Sequence, residues 1–92
     1  MTALIITAQT GAATSTQFAV NKRVSKTVMA NGLAGAEYVD IQIKDGAGSW
    51  ITTSTANRLT ATDPARTIST EGEYRLSKGV TAGSVSCSLT GV

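Results

Sequence analysis

From Tyr38 to Lys44 the side chains alternate: Val39, Ile41 and Ile43 are apolar, while Asp40, Gln42 and Lys44 are polar. A period of two is the mark of a strand with one face on a core and the other in water. Asp45-Gly46-Ala47-Gly48-Ser49 follows, and its glycines supply the positive φ that a tight reversal needs. Trp50 and Ile51 then open a returning strand. The segment from Glu37 to Ile51 is therefore a β-hairpin, and the rest of the chain repeats its grammar.

Leu4 to Ala8 reads as a first strand, and Gly11-Ala12-Ala13-Thr14 as a small-residue connector. Thr16 to Val20 carries Phe18 and Val20 on one face. Asn21-Lys22-Arg23 makes a polar turn before a strand from Val24 to Ala30, built on Val24 and Val28. Asn31-Gly32 is a reversal signal, since both residue types tolerate positive φ. Beyond the hairpin, Thr52 to Asn57 is polar and reads as a loop or a frayed strand end, and Arg58 to Thr62 as a short strand around Leu59. Asp63-Pro64 turns the chain, because proline presets φ there and is excluded from a central strand. Ala65 to Thr70, Glu73 to Lys78 and Ser84 to Thr90 complete the set. In the last, Val85, Cys87 and Leu89 alternate with serines. No stretch carries a helical 3.6-residue stripe. About eight short strands at regular spacing, with turn signals between them, predict an all-β fold: one antiparallel β-sandwich, immunoglobulin-like or jelly-roll-like, spanning residues 1–92.

Composition agrees. Charged residues make up only 15% of the 92-residue chain, below the usual ~25%. Serine and threonine fill the gap, which suits exposed strand faces. A domain this short has a stability margin of roughly 5 kcal/mol. The formal net charge of +2 is too small for nucleic-acid binding without a concentrated patch. The one basic cluster, Lys22, Arg23 and Lys26, has three readings: a solvated loop, a contact with an acidic partner surface, or a phosphate site without aromatic support. Ala3-Leu4-Ile5-Ile6 lacks the basic start and longer apolar run of a signal peptide, and nothing approaches the ~20 apolar residues of a membrane span. The expectation is a product made soluble in a host cytoplasm.

Little in the chain points to chemistry. It contains no histidine, which removes Ser-His-Asp and Cys-His nucleophile systems and the commonest metal ligand. The single cysteine, Cys87, is in phase with the apolar positions of its strand and reads as a small buried hydrophobe. Asp40 sits on a polar strand face, and Glu37, Asp45, Asp63, Glu71 and Glu73 sit in or beside turns, so no carboxylate pair is indicated. Nor do they supply the spaced ligands of a calcium site. Gly46-Ala47-Gly48 precedes a strand rather than a helix, which argues against a phosphate cradle. Of the four aromatics, Trp50 is expected between the sheets. Tyr38 lies on the polar face of its strand and is the candidate exposed contact. No cofactor, metal or small-molecule substrate is expected.

Two pieces carry a resemblance. One is the hairpin Asp45-Gly46-Ala47-Gly48-Ser49-Trp50. The other is Glu71-Gly72-Glu73-Tyr74-Arg75-Leu76, followed by Gly79 and a strand of alternating Ser and Val. Together they resemble the small β-sandwich decoration or cement proteins on the capsids of tailed bacteriophages. The likeness covers the second half of the chain. It implies a non-enzymatic structural protein of the virion, present in many copies as a homo-oligomer, often trimeric, whose partner is the major capsid protein. Asp45, Gly46, Trp50, Gly72, Tyr74 and Arg75 match, all in architectural roles. Candidate partner contacts, read from the residues, are Lys22, Arg23, Lys26 and Tyr38. Alternatives are a tail or neck component on the same sandwich, or a module binding carbohydrate or a host surface. Residues Met1 to Leu4 are expected to extend to a neighbour as an added strand.

Overall fold

The computed structural model describes residues 2–90. The chain is folded in half like a ribbon whose tip is the Asp45–Ser49 hairpin loop. β1 (Thr2–Gln9) pairs with β10 (Val85–Thr90), so that Thr2 faces Thr90. β2 (Ala13–Thr14) and β3 (Phe18–Val20) both lie against β9 (Gly72–Lys78). β4 (Lys26–Asn31) pairs with β8 (Ala65–Ile68). β5 (Tyr38–Lys44) pairs with β6 (Trp50–Thr52) and then β7 (Leu59–Thr60), which a 3-10 turn at Thr55–Asn57 separates. All of these pairings are antiparallel.

Successive paired segments alternate between two sheets. One has the order β1-β10-β4-β8; the other runs β2-β9-β5-β6, with β3 continuing the β2 edge along the opposite end of β9 and β7 continuing the β6 edge along the opposite end of β5. Counting each broken edge as one strand, the orders are 1-8-3-6 and 2-7-4-5. This is the jelly-roll winding of two Greek keys. Among the described residues only one pair of consecutive strands, β5 and β6, forms a hairpin, whereas an immunoglobulin sandwich is built from several. The ten observed strands thus occupy the eight strand positions expected. Ala13–Thr14, expected as connector, is a short strand, because β9 offers Lys78 and Ser77 as partners.

The core lies between the sheets. Val28, Val85, Cys87, Leu89 and Ile6 from the first sheet meet Val39, Ile41, Leu59, Leu76 and Tyr74 from the second. Phe18 faces Tyr74 across β3 and β9, with ring centroids 6.1 Å apart. Burial pushes the Cys87 thiol up to about 11, so it carries no thiolate at neutral pH and acts as the small hydrophobe expected.

Three local expectations change. Val24 is 52% exposed: it closes a four-residue turn in which its amide donates to Asn21 O at 3.1 Å. Among the described residues every positive φ belongs to glycine, so Asn31 ends β4 in ordinary strand geometry and Gly32 alone makes the reversal. Finally, Thr2 to Leu4 are not a free arm. They pair with Thr90 to Ser88 of the same chain; Met1 lies outside the described residues.

Candidate functional site

Trp50 is the main correction to the sequence reading. It is opposite Lys44 in the β5–β6 register, and Lys44 points away from the core, so the indole does too. The inward position beside it is Ile51, opposite Ile43. Ile51 is 49% exposed, so the β5–β6 hairpin brings no fully buried side chain of its own from β6.

On the outer face Trp50 reaches across β5 to β9. The Arg75 guanidinium stacks on its ring at 4.6 Å and Lys44 Nζ lies 5.8 Å from the ring centre. Arg75 Nε also donates to Gln42 Oε1 at 2.7 Å, while Gln42 Nε2 donates to Thr52 Oγ1 at 3.2 Å. Lys44 reaches Glu73 at 3.8 Å. The same device recurs at the far end of β5. Arg58 stacks on Tyr38 at 3.7 Å and donates from Nε to Asp40 Oδ1 at 2.7 Å. Each aromatic is held by an arginine, and each arginine is oriented by a second polar partner. Such cation–π contacts contribute about 0.5–2 kcal/mol each, more as water is excluded.

The loops at the Tyr38 end are tied by Glu37. Its carboxylate accepts from Ala82 N at 2.7 Å and Ala34 N at 3.0 Å, joining the β9–β10 and β4–β5 connections. These two amides, that of Ala82 foremost, hold the Glu37 carboxyl below its ordinary value of 4.5. The ionised form therefore stabilises the fold above the ordinary value, and this contribution disappears as pH falls through the lower folded value. Glu37→Gln is expected to lower the melting temperature at neutral pH. The gap from the parent protein should narrow on acidification to about pH 3; a gap that is constant or widens would show that the carboxylate is not the clamp.

The sequence candidates separate in space. Lys22 and Arg23 form the exposed turn between β3 and β4, and Lys26 starts β4 in the first sheet, half-buried and opposite Ile68. Tyr38, 40% exposed, belongs to the outer face of the second sheet with Arg58 and Asp40. The basic trio and Tyr38 are thus not one site. Arg58, Arg75 and Trp50 were missed as parts of a face. Their signal was the register itself: a five-residue loop places Trp50 opposite Lys44.

Among the described residues no three His, Cys, Asp or Glu side chains converge as metal ligands, and no buried side-chain polar atom lacks a partner. A cavity of about 550 Å³ opens between β8 and the β6–β7 break, floored by Ile41, Ile43 and Tyr74 and rimmed by Arg66 and Asn57. Tyr74 Oη there is already bound to Thr70 O at 2.8 Å.

Fold and face together define a jelly-roll β-sandwich that presents two arginine-clamped aromatics, Tyr38 and Trp50, on the outer face of one sheet. No protein-family model, curated protein or solved structure matches the chain.

Proposed function

We propose that this chain is a non-enzymatic structural protein of a phage virion, a decoration or cement protein that binds the outer capsid in many copies. Its docking surface is the outer face of the second sheet. The carrying observation is that the two segments bearing the resemblance meet there: Trp50 of the Asp-Gly…Trp hairpin lies under Arg75 of the Gly-x-Tyr-Arg strand. Tyr, Trp and Arg are the residue types that dominate binding energy at protein interfaces. Held on a sheet by existing bonds, they lose little conformational freedom on docking. The low-charge, hydroxyl-rich surface around them adds little desolvation cost, and repetition on a lattice multiplies weak contacts. Jelly-roll topology itself is shared by capsid proteins and lectins, so it supports this reading by analogy alone.

Co-sedimentation with undecorated capsids tests it. The parent chain is expected to saturate the capsids stoichiometrically, and Tyr38→Ala to weaken binding about tenfold or more, as loss of an interface anchor does. A chain that stays in the supernatant at every concentration would end the proposal.

The outward placement of Tyr38 and Trp50 favours one second reading, a module for glycans or a host surface. Stacking a sugar ring on the Arg75-covered face of Trp50 would require displacing that guanidinium. Glycan-array binding lost in Trp50→Ala, without capsid binding, would select this reading.

A further inference from the structure

The two sheets have four edges, and three are blunted. β8 is four residues long and follows Pro64. Its Arg66 is opposite the buried Val28, on the inward-facing side, and donates to Arg58 O at 3.4 Å and reaches Asp63 at 3.6 Å. Prolines and inward-pointing charges at an edge are devices that prevent strand addition. The two edges of the second sheet are interrupted, one between β2 and β3 and the other by the 3-10 turn between β6 and β7.

β1 is different. It is an edge strand of eight residues, Thr-Ala-Leu-Ile-Ile-Thr-Ala-Gln, with no charge and no proline. Leu4 is 57% exposed on it. Two register shifts, between Leu4 and Ile6 and between Ile6 and Gln9, interrupt its pairing with β10, and among the described residues no strand pairs with its other side. The chemistry that satisfies an edge of this kind is another extended backbone.

We infer that the occupant is a second copy of this chain, its β1 antiparallel to the first about a two-fold axis. Charge favours this choice: an uncharged segment meets its own copy without repulsion, whereas β8 would bring Arg66 against Arg66. The pairing makes a continuous eight-stranded sheet whose outer edges are the two β8 strands. Those edges are the protected ones, so association stops at a closed dimer instead of growing into a fibre. The inference does not rest on capsid binding and holds or fails without it.

Analytical ultracentrifugation across the micromolar range tests it. The parent protein should show a reversible monomer–dimer equilibrium. Leu4→Lys and Thr7→Lys, both exposed positions of β1, should each raise the midpoint concentration about tenfold or more, since edge lysines oppose pairing. Thr67→Lys on β8 should leave it unchanged, with circular dichroism checking that every variant is folded. β1 amides of the parent should also gain exchange protection with concentration. A parent that remains monomeric, a trimer, or a dimer insensitive to both β1 lysines would overturn the inference. Equal loss in Thr67→Lys would overturn it as well.

Discussion

Lys78→Ala is expected to lower stability by about 3–5 kcal/mol, which for a domain of this size approaches the whole margin. Lys78 is 2% exposed and is the largest fully buried side chain. It extends along the core face of β9, opposite Val39, and its ammonium donates to Gly11 O at 2.7 Å and Gly79 O at 3.0 Å. One carbonyl belongs to the connection leaving β1, the other to the turn between β9 and β10. Alanine removes the packed stem and leaves both carbonyls without their donor. Lys78→Met retains most of the stem and removes only the head, so its expected cost is lower, about 1–3 kcal/mol. Urea unfolding of the two variants separates stem from head. A loss below about 1 kcal/mol in Lys78→Ala would show that water replaces the ammonium freely.

Gly32→Ala is expected to cost about 2–4 kcal/mol, from two separable causes. Gly32 has φ +103°, a region that side chains strain to occupy. A Cβ there would also press directly on the carbonyl oxygen of Ser84, next to the β4–β10 pairing that joins the two halves of the ribbon. Gly48→Ala supplies the comparison. Gly48 has φ +88° with nothing within 4 Å of an added Cβ, so only the conformational cost of about 1–2 kcal/mol applies. Thermal unfolding should rank parent, Gly48→Ala, Gly32→Ala in falling stability. Equal losses would mean that the β10 backbone moves aside without penalty.

The Gly48 loop also shows why the hairpin was readable. Asp45 Oδ1 accepts from Ala47 N and Ser49 N, both at 2.9 Å, and Gly48 N donates to Asp45 O at 3.1 Å. Every bond lies within five residues, so local sequence is sufficient to specify it. The period-two pattern worked equally well for β5, β9 and β10, where inward residues face a sheet along the whole strand. Lys78 shares the phase of Tyr74 and Leu76 in β9, but its charge hid it from the sequence reading, and only the structure shows it buried.

The sequence by itself determined the class of fold, the tip of the ribbon and the buried state of Cys87, because alternation and turn chemistry act over a few residues. Tertiary structure alone decided the rest. Which strands pair across the sandwich depends on contacts between residues as far apart as Thr2 and Thr90. Trp50 is outside because strand pairing sets it opposite Lys44, a register that the apolar character of the indole does not reveal. Arg58 and Arg75 became parts of one face only when register brought them over Tyr38 and Trp50. A face assembled from side chains on several strands exists once those strands are aligned, and the alignment is a property of the whole fold.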